Sequence, residues 1–171
     1  MTTTTAVTTQ VHRVYIKASP DAVWDAITQP GWTARYGYGG RAMYDLRPGG
    51  SFQVLASQEI KDGQAARGLP VPEAAVDGEV IEVDRPHRLV QTWRLLLDPE
   101  IEAEGFTRLT YEIDETTDGV TRLTVIHELD GAPMLAALVA GEREAEGAGG
   151  GWSWVLSGLK TLLETGGPLP R

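Results

Sequence analysis

The sequence predicts a single α+β domain: a curved antiparallel sheet wrapped around a long C-terminal helix, with an internal cavity between them. Three observations predict it. An alternating strand near the N-terminus runs straight into a helix. Turn residues then punctuate a series of alternating segments. One long amphipathic segment, opening at Gly151-Trp152, closes the chain. A sheet with one apolar face needs an element laid across it, and a helix held in that way encloses a space suited to a small molecule.

Residues 1–10 read as a polar tail, 11–166 as the domain and 167–171 as a short C-terminal tail. In the strand Val11–Ala18, His12, Val14, Ile16 and Ala18 share one face, and Arg13, Tyr15 and Lys17 share the other. Ser19 follows as an N-cap, with Pro20 at the first helical position and Asp21 in the first turn. Val23, Ala26 and Ile27 form the apolar stripe of this helix, flanked by Trp24 as a core filler, until Pro30-Gly31 ends it. A second short turn carries Trp32 and Tyr36. Gly37-Tyr38-Gly39-Gly40 is a loop, and Pro48-Gly49-Gly50 turns between strands near 41–46 and 51–59.

Residues 60–76 show no clear period and contain Gly63, Gly68, Pro70 and Pro72, so they read as a long loop. Strands at 77–84 and 88–98 join through Asp84-Arg85-Pro86-His87, and strands at 106–114 and 120–129 through Glu115–Gly119. In the last pair Leu109, Tyr111 and Ile113 face inward with Leu123, Val125 and His127, while Arg108, Thr110, Glu112, Arg122 and Thr124 face out. Pro133 starts a helix with Met134, Leu135, Leu138 and Val139 on its apolar side. The glycine-rich run 147–151 then reads as a hinge, which makes 132–151 a lid. Trp152, Val155, Leu156, Leu159, Leu162 and Leu163 recur at helical spacing until Gly166-Gly167-Pro168.

Composition narrows the function classes. The chain has 171 residues, enough to bury one substantial core. Its net charge of −9 opposes binding to a polyphosphate, so no nucleic-acid partner is expected. It has no cysteine, and its three histidines are far apart, so no metal site is expected, and no cofactor. No stretch is apolar enough for membrane insertion, and the threonine-rich start carries no secretory signal, which sets a cytoplasmic expectation.

Several motifs together resemble the START-like, or SRPBCC, superfamily of helix-grip proteins, in the branch named after the activator of the Hsp90 ATPase. They are Ser19–Ala26, Pro48-Gly49-Gly50, Gly78–Val83, Pro86–Val90, Trp93, Thr121–Val125 and Gly151-Trp152. The resemblance spans roughly residues 11–165. It implies the helix-grip fold and a cavity that, across the superfamily, serves lipid carriers, hormone receptors, polyketide cyclases and resistance proteins.

The residues and the resemblance together lead to one expectation of function: a small hydrophobic molecule, aromatic or polyketide-like, bound in the cavity for carriage, sequestration or resistance. The expected ligand-binding residues are Trp32, Tyr36, Tyr44, Phe52, Trp93, Tyr111, Val125, His127, Met134, Leu138, Trp152 and Leu156. His127 sits on an apolar face, where a core histidine with satisfied nitrogens is the simpler reading and a general base the sharper one. A polyketide cyclase or dehydratase using His127, and a co-chaperone-like protein-interaction domain, are the alternatives. His12 and His87 read as surface residues. Trp154, about 200° around the last helix from Trp152, faces another element or a partner chain, so both monomer and homodimer remain open.

Overall fold

The computed structural model describes residues 8–170. Seven antiparallel strands form one sheet in the order β1-β7-β6-β5-β4-β3-β2. They are β1 (Thr9–Ile16), β2 (Arg41–Tyr44), β3 (Ser51–Leu55), β4 (Ala74–Asp84), β5 (Arg88–Leu95), β6 (Thr107–Thr117) and β7 (Val120–Glu128). The longest helix, α6 (Gly151–Thr165), lies along the inner face and buries Trp152, Leu156, Leu159 and Leu162. The predicted α+β helix-grip architecture is therefore what the chain adopts.

Local chemistry sets the helix ends. Helix α1 (Pro20–Thr28) is capped by Ser19, whose side chain accepts from the Ala22 N–H at 3.2 Å. Its face of Val23, Trp24, Ala26 and Ile27 joins the main core, so Trp24 is the core filler its position predicts. Helix α6 ends where Gly166 takes a left-handed conformation and its N–H reaches the Leu162 carbonyl.

Both edges of the sheet are covered. Along β1, Lys160 Nζ donates to the Tyr15 carbonyl at 2.6 Å, and Glu164 accepts from the Lys17 N–H at 2.9 Å. At β2, the Ala42 N–H donates to Thr33 Oγ1 of α2 (Pro30–Thr33). Unpaired strand edges invite further strands, and these side-chain bonds occupy them.

Several boundaries differ from the expected ones. Strand β1 starts at Thr9, because Thr9 and Gln10 pair with Glu128 and His127, so the predicted tail is shorter; its first seven residues lie outside the described ones. Strand β3 stops at Leu55, since Ser57 caps a nine-residue helix, α3 (Gln58–Ala66), which replaces the end of the expected strand 51–59 and the start of the expected 60–76 loop. Strand β5 stops at Leu95, and Asp98 caps the short helix α4 (Pro99–Glu102). Helix α5 (Pro133–Val139) leads through a 3-10 turn at Glu144–Glu146 to the glycine run.

On the outer face Thr110 and Thr124 are buried despite pointing away from the core. They sit in central strands beneath long paired side chains, such as Arg88 with Glu112 at 3.0 Å. The matched charges expected of that face are present: Arg108 pairs with Glu128 and Arg122 with Asp114.

Candidate functional site: an apolar cleft beside the grip helix

A cleft of about 630 Å³ opens between the inner face of β3–β5 and helix α3. Its floor is Val54, Val76, Trp93 and Leu95. Ile60 of α3, Leu138 of α5 and Trp152 of α6 form its walls. The rim carries Glu59, Arg67, Asp98 and Arg143, of which Asp98 is occupied in accepting from the Glu100 and Ile101 amides. Aliphatic and indole surface thus lies inside and charge at the mouth, the distribution expected of a site for a largely apolar molecule.

Helix α3 supplies one wall and is itself fixed by a side chain. Gln64 Nε2 donates to the carbonyls of Pro70 at 2.9 Å and Leu97 at 2.7 Å, tying the helix to the loop behind it and to the end of β5. The opposite wall is set by the glycine run, which forms a close junction instead of a hinge. Gly151 has φ +65°, its N–H donates to the Tyr38 hydroxyl at 3.0 Å, and a Cβ placed on it would strike the Val139 carbonyl oxygen. Trp154 completes the junction by donating from Nε1 to the Gly37 carbonyl at 3.1 Å. Trp154 therefore faces another element of its own chain.

Behind Trp93 and Trp152 runs a chain of hydrogen bonds. Trp152 Nε1–H donates to His127 Nδ1 at 3.2 Å, and His127 Nε2 lies 2.8 Å from Thr107 Oγ1. The Thr107 hydroxyl donates to the Trp93 carbonyl at 2.8 Å, so its oxygen accepts from the imidazole and the proton sits on Nε2. The His127 ring stands edge-on to Trp93 and Trp152, at centroid distances of 5.4 and 6.0 Å. It is fully buried, and that burial, with a smaller contribution from His12, lowers its pKa from 6.5 to about 3. Both ring nitrogens are used, and the imidazole holds Trp152 in place as a wall.

This arrangement gives a pH dependence with a definite sign. Above pH 6.5 His127 is neutral both folded and unfolded, and its contribution to stability is complete. As pH falls from 6.5 towards 3, the unfolded chain gains a proton that the folded chain does not, which costs about 1.4 kcal/mol per pH unit. Urea unfolding at pH 7 and pH 5 should show wild type losing more stability than His127→Gln. Equal losses would contradict the buried neutral imidazole.

Of the expected ligand-binding residues, Trp93, Leu138 and Trp152 line the cleft and His127 lies directly behind it. Val125 and Leu156 lie in the main core, and Tyr111 packs against it with its ring edge-on to Trp152 at 6.2 Å. Tyr36 donates to the Ala26 carbonyl at 2.8 Å and Tyr44 to Gln91 Oε1 at 2.6 Å, both on the inner side. Phe52 meets Tyr44 at 4.6 Å in a smaller core with Ala42, Ala56, Ala75 and Val76. Trp32 lies under Arg35, and the Met134 N–H is held by Glu104. His87 is partly covered, with Nδ1 3.2 Å from the Ile113 carbonyl, and His12 lies beside Gln10 on the inner side of β1. Ile60, Gln64, Leu95 and Leu97 were not expected. The cap signal Ser57-Gln58-Glu59 was the one local sign of the helix that brings the first two to the site.

Comparison with known proteins places this geometry in a family. The family model of the activator of Hsp90 ATPase homolog 1-like protein matches residues 17–164. The chain belongs to this family. No curated protein matches it. Among solved structures, CalU16 from Micromonospora echinospora is 22% identical with a TM-score of 0.63, over 95% of this chain and 77% of that one. DynU16, a protein of the dynemicin biosynthetic locus, is 23% identical with a TM-score of 0.63; 95% of this chain aligns, covering about half (49%) of the longer DynU16 chain. PFC0360w, an HSP90 activator from Plasmodium falciparum, is 20% identical with a TM-score of 0.53, over 71% of this chain and 73% of that one. These likenesses show the shared helix-grip fold. Among the described residues no helix is long and apolar enough to cross a membrane, and no group of three or more His, Asp or Glu side chains is placed to hold a metal ion.

Proposed function

We propose that this member of the Hsp90-activator-homologue family binds a small, flat, largely apolar ligand, aromatic or polyketide-like, in the cleft between β3–β5, α3 and α6, in a carrier or sequestering role. The observation that carries the reading is the cleft of about 630 Å³ floored by Trp93 and Leu95 and walled by Ile60, Leu138 and Trp152. That volume and lining suit a drug-sized molecule held by burial of its apolar surface. The full use of both His127 nitrogens favours binding over turnover, because neither is left to accept a substrate proton. The likeness to DynU16, whose locus makes dynemicin, is in keeping with a natural-product ligand.

Tryptophan fluorescence tests the reading, since three of the five tryptophans, Trp93, Trp152 and Trp154, line the cleft. Titration with a panel of flavonoids, anthraquinones, polyketides and fatty acids should give saturable quenching and a raised Tm for one flat apolar class. Saturation with fatty acids alone would contradict the flat-ligand reading. Silence across the panel, joined to stimulation of an Hsp90 ATPase by the purified protein, would replace it with a co-chaperone role.

A further inference from the structure

Among the described residues, Gln91 is the one buried side-chain amide with a nitrogen that has no hydrogen-bond partner. It lies on the inner face of β5, opposite Leu109 of β6 and Val80 of β4, two residues before the cleft floor at Trp93. The side chain is fully buried. Its Oε1 accepts from the Tyr44 hydroxyl at 2.6 Å, and Nε2 is the other end of the amide. Among the described residues Nε2 has no hydrogen-bond partner. A buried N–H with no partner among the protein's own atoms is a donor that a bound acceptor can satisfy.

The surroundings of Gln91 are phenolic. Burial is the main cause that raises the pKa of Tyr36, Tyr44 and Tyr111, with Tyr111 adding to the rise at both Tyr36 and Tyr44. Each of the three residues nevertheless keeps accessible surface. Tyr111 also stands edge-on to Trp152, which lines the open cleft.

Resting on the ligand-binding reading, we infer that the cleft extends inward past Trp93 and Trp152 to a polar end formed by Gln91, Tyr44 and Tyr111, which selects flat ligands bearing a neutral acceptor oxygen, a ketone or quinone carbonyl. The donor at that end is Gln91 Nε2. Because no protein atom satisfies it, a carbonyl reaching it completes the bonding of a buried N–H. A carboxylate is disfavoured there, since an amide and three neutral phenols supply no balancing charge in a buried setting. The apolar walls hold the ring system, and the amide sets which edge of it points inward.

The test uses a matched pair, 9-fluorenone and fluorene, which share a fused frame and differ by a carbonyl in place of a methylene. Tryptophan quenching reads both affinities. Wild type should prefer the ketone about tenfold, the weight of one net hydrogen bond. Gln91→Met removes the donor, and Tyr44→Phe/Gln91→Met removes both polar ends at nearly constant volume, with the Tm reporting that each variant is folded. In the folded double variant the ratio of the two affinities should fall to about one. Equal binding of the pair by wild type, or a preference that survives in the double variant, overturns the inference and leaves the ligand-binding reading standing. Binding of neither molecule while other flat ligands still saturate also overturns it, and silence towards every flat ligand fells the reading and the inference together.

Discussion

Gly151→Ala should lose roughly 2–5 kcal/mol of stability, the sum of a left-handed backbone forced on an L side chain and an overpacked junction. Gly151 opens helix α6 at φ +65°, and an added methyl would meet the Val139 carbonyl oxygen, with the Gly141 nitrogen at 2.8 Å behind it. Both obstacles are backbone, so no side chain can turn aside to relieve the collision. The same residue positions its N–H against the Tyr38 hydroxyl, so the substitution also loosens the wall of the cleft. Gly31→Ala is the control, because a Cβ there meets nothing within 4 Å. Urea unfolding of the two variants should separate them widely; similar stabilities would mean that the chain accommodates the methyl and that the junction is not close.

Trp152→Ala should cost about 3–5 kcal/mol, the range for emptying a large aromatic from a core. The indole is 7% exposed, stands edge-on to Tyr111 and His127, and donates its N–H to His127 Nδ1. Trp152→Phe separates these contributions. It keeps most of the volume but leaves the buried His127 nitrogen without its donor, which costs about 1–3 kcal/mol. Ligand affinity should fall in both variants, since the cleft loses the wall or the bond that orients it. A folded Trp152→Ala protein with unchanged affinity would show that the ligand sits elsewhere.

The fold was legible because its signals are local and strong. Ser19-Pro20 starts α1, alternation of Leu109, Tyr111 and Ile113 sets the inner face of β6, and the spacing from Trp152 to Leu162 marks the grip helix. Helix α3 was not legible. It turns only a narrow strip of its surface inward, so Ile60 and Gln64 carry no apolar period, and Gly63 interrupts the little there is. The cleft wall it provides was hidden with it.

The aromatic residues show a second limit. Periodicity says which face of an element a side chain occupies, but not whether that face meets a neighbour or a gap. Trp93 and Phe52 both point inward from strands, yet one lines the cleft and the other fills a small core with Ala75 and Val76. His127 was placed correctly inside by the alternation of β7, while the partners that occupy its two nitrogens come from β6 and α6, far apart in the chain. The glycine run misled for a similar reason. Composition alone suggests mobility there, whereas the structure uses the missing side chains to bring the run against the Val139–Gly141 backbone and the Tyr38 ring.

The most direct test of the central claim is residue-resolved NMR chemical-shift mapping of the ¹⁵N-labelled protein titrated with a flat aromatic ketone such as 9-fluorenone. A ligand seated in the cleft produces saturating shifts at the indole N–H signals of Trp93 and Trp152 and at the backbone amides of Ile60, Leu95, Leu97 and Leu138, residues around the cleft. Shifts confined to the groove between residues 8–12 and Ala136–Ala140, or to the outer face of the sheet, would contradict the claim.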